Sequence, residues 1–446
     1  MRLFKMKRCH LLLVGCTCVS YSLVANADST FQESKHIDPF LGLDFSSFVS
    51  TGYGFDDNVF NQLDDHIIGS NFYFLKPSIS MLGHQNTKDF GFYYSGNYRK
   101  YNNDVSSYRG KSDQSYDDHN LTGIFTWELG FRHHLELLAN YDIGHEALGT
   151  GVTNGFYFSD EDPLGKHATF DLFNITSPIK KTNKRANIKY TYGATGAKGN
   201  IIFDLLQDRL NYDILSRYDS IFSTYLNNEN ITETDANITF KHQYTEQTRF
   251  DYKLIYKNYN YKDNQRDNDD FIIAFSFISQ ITGKSKIEAT VSKVQKKMQG
   301  DDFSSINWNV SYKWQPTDYS TLFVKSKSEV KEPENTGDFI QSFENSITWK
   351  HQFLGHITSS LSYKHISDKY QIRERIDRYD NVVFNLHYLF RPKIEFIFDY
   401  QYALFHTNNS TDPVFINGEN YERRLGYERR LGYEKNQFGL SVKVAI

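Results

Sequence analysis

Apolar and polar residues alternate one for one along most of this chain. In 438-FGLSVKVAI-446, Phe438, Leu440, Val442, Val444 and Ile446 share one face, and Gly439, Ser441, Lys443 and Ala445 share the other. In 394-IEFIFDYQY-402, Ile394, Phe396, Phe398, Tyr400 and Tyr402 oppose Glu395, Asp399 and Gln401. The same holds in 306-INWNVSYKW-314 and 250-FDYKLIY-256, where Trp308, Trp314, Tyr252 and Tyr256 oppose Asn307, Lys313, Asp251 and Lys253. Successive side chains of a strand point to opposite faces, so each segment predicts a strand with one apolar and one polar side.

The pattern predicts strands near 45–55, 71–82, 88–101, 115–129, 131–143, 183–194, 198–210, 233–244, 247–260, 271–282, 284–296, 303–314, 318–330, 338–351, 355–367, 378–390, 393–407 and 436–446. That is about 18 strands, an even number; 211–232 is the stretch where two more would fit. Short turns alternate with long polar connections. The turns lie near Gly130 and at 193–199, 244–248, 282–284, 315–318, 352–355 and 391–393. The long connections include 56–70, 102–115, 144–182, 211–232 and 408–435. Aromatic residues mark strand ends, as at Tyr388, Phe390, Tyr400 and Tyr402. A soluble sandwich has no reason to keep this parity. An outer-membrane barrel has short periplasmic turns, long extracellular loops and aromatic girdles. The expected fold is therefore all-β: one transmembrane antiparallel β-barrel over 45–446, closed because lipid tolerates no unpaired strand edge.

Composition sharpens this picture. Aromatics make up 16% of the chain, yet mean hydropathy is only −0.59. No stretch beyond the N-terminus approaches the ~20 apolar residues of a membrane helix. The N-terminus itself reads as a secretory signal over 1–27. Arg2, Lys5, Lys7 and Arg8 precede the apolar run 11–25, and Ala25-Asn26-Ala27 offers small residues for cleavage. Leu13-Val14-Gly15-Cys16 resembles a lipoprotein box, a rival reading weakened by the short apolar core before it. Residues 28–44 read as a short periplasmic lead-in. All three cysteines precede position 28, so cleavage there leaves no thiol for disulfides or metal. Removing the leader takes the formal net charge from −4 to −8, which argues against a nucleic-acid partner.

The polar face carries both signs of charge. Candidate lumen-lining residues are Asp251, Lys253, Lys313, Lys364, His387, Glu395 and Asp399, and solvation in a wet channel accounts for most of them. Such a mixture suits neutral or weakly charged hydrophilic cargo better than a selective ion filter. No catalytic, cofactor or metal site is expected. The chain has no Gly-x-Ser-x-Gly elbow and no His-Glu-x-x-His helix. His133-His134 and His145-Glu146 lack a spacing that demands metal, and Gly110-Lys111-Ser112 and Gly283-Lys284-Ser285 lack the first glycine of a phosphate loop. The tandem 421-YERRLGYERRLGYEK-435 falls in the last outer loop, where insertions are tolerated, and reads as a duplication without function rather than a binding site; the alternative is contact of its four arginines with lipopolysaccharide or a sugar acid.

One short stretch, 51-TGYGFDDNVF-60, raises its own question. Asp56, Asp57 and Asn58 are three adjacent oxygen-bearing side chains at the exit of the first strand. Turn formation explains them better than a cation site, because the alternating spacing of a calcium loop is missing. Tyr53, Asp56, Asp57, Asn58 and Phe60 also resemble the opening signature of the beta-barrel porin 2 family. Gly283-Lys284, Trp314-Gln315-Pro316-Thr317 and Arg375-Ile376-Asp377 are similar to later features of that family. Ile446 departs from the aromatic terminus of many barrels. The resemblance implies export of exopolysaccharide or capsular polysaccharide across the outer membrane, with a periplasmic polysaccharide-export protein as partner and a place in capsule or biofilm production. The alternatives are a general diffusion or sugar-uptake porin and, more remotely, a barrel hydrolase.

Overall fold

A computed structural model describes residues 43–63, 67–102, 105–107, 110–157, 169–263, 266–298, 302–331, 340–371, 374–409, 411–413, 415–416, 419–420 and 428–446. The leader and nearly all of the lead-in, as well as the first half of the tandem repeat, lie outside the described residues.

Eighteen long strands form one sheet that closes on itself. They are β1 (Leu43–Asp56), β2 (Ser70–Gln85), β3 (Lys88–Tyr101), β4 (Tyr116–Glu128), β5 (His133–Glu146), β6 (Ile179–Tyr192), β7 (Gly199–Tyr212), β8 (Ile231–Gln243) and β9 (Thr248–Tyr261). The second half holds β10 (Asn268–Thr282), β11 (Ser285–Met298), β12 (Phe303–Thr317), β13 (Ser320–Lys331), β14 (Ile340–Phe353), β15 (Ile357–Tyr370), β16 (Ile376–Arg391), β17 (Ile394–Thr407) and β18 (Tyr433–Ala445). Each pairs antiparallel with its sequence neighbours. β1 pairs with β18 in register Phe48↔Ala445 to Asp56↔Gln437, which closes the ring. Every predicted strand is present. The stretch 211–232 holds a helix rather than further strands, and this fixes the count at 18.

Turns of two to six residues (86–87, 129–132, 193–198, 244–247, 283–284, 318–319, 354–356, 392–393) close one end of the barrel. The longer connections lie at the other end and include 57–69, 147–178, 213–230 and 408–432. The turn at the end of β4 needs Gly130, whose φ is +98°.

The two faces differ as the alternation requires. Leu254, Tyr256, Ile273, Leu361, Phe396 and Leu440 are among the large apolar side chains that stay exposed, and they occupy one strand parity. The opposite parity carries amides, hydroxyls and charges. Buried loop residues pack against strand residues of this second parity, namely Ile179, Leu210, Tyr212 and Tyr101. The polar parity therefore points into the barrel and the apolar parity outward. A belt of exposed Leu, Ile and Phe around a closed ring is stable only against acyl chains.

Candidate functional site

The inner wall and the outer mouth are where transport chemistry can occur. At the mouth, three loops meet in one apolar core. Val59 and Phe60 come from the loop after β1. Leu148, Val152, Phe156, Phe170, Phe173 and Ile175 come from the loop after β5, which contains helix α1 (Thr169–Leu172). Tyr218, Phe222, Tyr225 and Leu226 come from the loop after β7, which contains helix α2 (Ser220–Asn228). Helix α2 starts where the Asp219 carboxylate accepts a hydrogen bond from Ile221 N at 2.7 Å. Its buried Phe222, Tyr225 and Leu226 are spaced three and four apart, as one helical face demands.

Ring contacts knit the loops together. Phe222 lies 6.1 Å from Phe156 and 5.7 Å from Phe173, and Phe170 lies 6.3 Å from Phe60. Gln114, from the loop after β3, is the polar pin. Its Nε2 donates to Val59 O (2.7 Å) and Leu148 O (3.1 Å), and its Oε1 accepts from Leu148 N (3.0 Å). Gly149 must be glycine: its φ is +84°, and a Cβ there would meet Phe60 O at 1.8 Å. Glu146 anchors the cap to the wall by accepting from Lys181 Nζ (2.8 Å), Tyr212 OH (2.8 Å) and Val152 N (2.9 Å). Burial pushes the pKa of the Tyr218 hydroxyl up, against the pull of Arg217, so it stays neutral in the cap. The cap bridges the rim from β1 to β7, a chord across part of the outer opening.

The 51–60 stretch forms the clasp of the barrel seam. Gly52 and Gly54 face inward and are covered by the rings of Phe74 and Phe72, whose atoms would lie 2.5 and 2.3 Å from an added Cβ. Asp56 pairs with Lys435 at 2.8 Å and accepts from Asn58 N. Asp57 accepts from Asn436 N (2.7 Å) and Asn436 Nδ2 (2.9 Å). Asn58 donates to Gln62 O (2.8 Å) and Glu434 O (2.9 Å). Tyr53 points outward, 5.1 Å from the ring of Tyr73, and Phe60 enters the cap. The oxygen-bearing side chains are thus committed to joining the first strand to the last. The strand-exit reading holds, and among the described residues no group of His, Cys, Asp and Glu is placed to hold a metal ion.

The seven lumen candidates all lie on the inward parity. Asp251 is buried and paired with Arg249 (2.9 Å). Lys253 stands opposite Thr239 and Ala274, Lys313 opposite Lys286 and Phe323, and Lys364 opposite Ser346 and Asn381. His387 Nδ1 and Glu395 Oε1 are 2.9 Å apart, and Asp399 stands opposite Asn385 and Gly439. The structure does not gather them into one site; they are spread around the wall. The histidines singled out above have local partners. His133 bonds to Tyr190 OH, His134 to Gly193 O and Glu128, and His145 to Asp118. The cap residues went unrecognised as a group in the sequence, where the signal was Phe156, Phe170 and Phe173 in an otherwise polar loop.

No protein-family model and no curated protein matches the chain. Among solved structures it is similar to the FrpB iron transporter from Neisseria meningitidis, at 12% identity over 92% of this chain and 83% of that one, with a TM-score of 0.48. It is also similar to OpdQ from Pseudomonas aeruginosa (8% identity, 91% of this chain and 99% of that one, TM-score 0.47). The outer membrane protein OpdK from the same organism covers 92% of this chain and all of its own, at 8% identity and a TM-score of 0.45.

These findings correct the family expectation. The beta-barrel porin 2 model does not match, nor does any other family model. The physical reason lies in the residues that carried the resemblance. Asp56, Asp57 and Asn58, the core of the opening motif, perform a strand exit and a seam closure that a closed barrel of any cargo requires. Polysaccharide cargo, the periplasmic export partner and the capsule or biofilm role rested on that resemblance and are withdrawn with it. The architecture and the membrane stand on the sheet itself: the chain is an 18-stranded antiparallel β-barrel of the Gram-negative outer membrane.

Proposed function

We propose that the barrel is a passive channel for small hydrophilic solutes of the sugar class. The observation that carries this reading is the inward parity of all 18 strands, rich in amides, hydroxyls and charges of both signs. Asp251, Lys253, Lys313, Lys364, His387, Glu395 and Asp399 then line a hydrated conduit. Weak, exchangeable contacts to solute hydroxyls allow entry without trapping. The cap narrows the outer mouth and favours small solutes over polymer.

The test is reconstitution. The purified barrel in liposomes is expected to admit mono- and disaccharides, seen as swelling rates that fall with solute mass. In planar bilayers it is expected to give conductance proportional to salt concentration. A refolded barrel that gives neither swelling nor conductance overturns the proposal.

A further inference from the structure

The inner wall is not uniform around the ring. On β12 to β15, Lys313, Lys325, Lys350 and Lys364 fall in three consecutive inward levels of the ladder. Register places Lys325 opposite Ser346 and Ser346 opposite Lys364; Lys350 stands opposite Ser360. Between these levels Thr348 and Ser362 face each other, with their hydroxyl oxygens 2.9 Å apart. No acid occupies those levels on the four strands. On these strands Glu344 is the nearest, one level outward, and Lys325 already holds it at 3.0 Å; beside them on β11, Glu288 stands opposite Ser311 and is paired with Lys286. Lys313 and Lys350 form no ion pair among the described residues.

The facing wall is built differently. Nine strands separate opposite sides of an 18-stranded ring, so β3 to β6 face β12 to β15. There the β6 cations are paired with carboxylates, Lys181 with Glu146, Arg185 with Asp208 and Lys189 with Glu136, and Arg99 on β3 lies over the ring of Phe72 at 4.4 Å and donates to Tyr101 OH. Asp118 lies beside the amide of Asn97 and also meets His145 Nδ1 at 3.0 Å, and Asp142 lies beside the amide of Asn120. Asn140 donates to Asn120 Oδ1 (3.1 Å) and Thr122 Oγ1 (2.8 Å), so this wall is an ordered amide and carboxylate surface.

Resting on the channel reading above, we infer that the β12–β15 wall is a binding track for small polyhydroxylated anions, such as phosphorylated or carboxylated monosaccharides. The ammonium groups of Lys313, Lys350 and Lys364 attract the anion, and the hydroxyls of Thr348 and Ser362 meet the sugar. Lysine suits this role because its flexible point charge hands an anion on rather than clamping it in a planar fork. The amide and carboxylate wall opposite repels the anionic end and holds the solute against the lysines.

The experiment is bilayer electrophysiology on the whole barrel. In a potassium chloride gradient the reversal potential is expected to show preference for chloride. Glucose 6-phosphate and inorganic phosphate are expected to reduce chloride current by competition, whereas glucose at the same concentration leaves it nearly unchanged. K313Q and K364Q are each expected to lower the anion preference by about threefold, the Boltzmann factor for one unit charge about 7 Å from the ion in water. K100Q, which removes an outward-facing exposed lysine on β3, is expected to leave it unchanged. Open channels that prefer cations, or that glucose and glucose 6-phosphate affect equally, overturn this inference and leave the channel reading intact. A barrel without conductance overturns both.

Discussion

Asn58 has no exposed surface, and its side chain makes three hydrogen bonds, two to Gln62 and one to Glu434 in β18. Replacing it with alanine strands a backbone N–H and two carbonyls in a buried corner, and each such group costs about 1–3 kcal/mol. N58A is therefore expected to destabilise the barrel by about 3 kcal/mol, read as a lower urea midpoint of tryptophan fluorescence in detergent micelles. D57A removes bonds at a more exposed position and is expected to cost about 1 kcal/mol. An unchanged midpoint in N58A removes the clasp as the explanation of this motif. The sequence makes the Asp-Asp-Asn run legible as a strand exit, because those residues hydrogen-bond nearby backbone. It hides the partners, since Asn58 and Glu434 lie 376 residues apart and meet only when the ring closes.

At the scale of the strand, the alternation carries nearly all the information. A period of two fixes which face is which, and the contrast between lipid and lumen then selects every strand in the ring. Leu254 is half-exposed on the outward side of β9, near the middle of the apolar band. L254R is expected to cost about 2–4 kcal/mol, the penalty of a cation at the bilayer midplane, measured by refolding into vesicles. A cost near zero places that residue away from lipid and reverses the assignment of faces. Turns are less legible than strands, because conformation there depends on single residues. Leu354 sits in the β14–β15 turn with a φ of +47° and almost no burial. A branched side chain in the left-handed region costs about 1–2 kcal/mol, so L354N is expected to raise the urea midpoint by about 1 kcal/mol equivalent. Helix α2 escaped the strand-based reading because its apolar residues repeat at three and four within a single connection between two strands.

The whole molecule adds what no segment contains: a cap made from loops that are distant along the chain. Length alone marks 144–182 as able to enter the mouth; the convergence of this loop with 57–69 and 213–230 follows only from ring closure, which sets their roots a few strands apart. Phe222 is the centre of that convergence, with ring neighbours Phe156, Phe173, Tyr218 and Tyr225. Truncating a buried phenylalanine removes about 3–5 kcal/mol of packing, and here that packing holds the loops together rather than the strands. F222A is expected to leave the barrel folded, with its heat-dependent shift on detergent gels intact, while the cap loosens. Two consequences follow in parallel. Protease added to intact cells is expected to cut within 147–230 faster than in the parent. Single-channel conductance is expected to rise, with added flicker as the freed loops move in and out of the mouth. Faster cleavage with unchanged conductance would place the cap clear of the conduction path, and the size limit on solutes would then have to come from the inner wall alone.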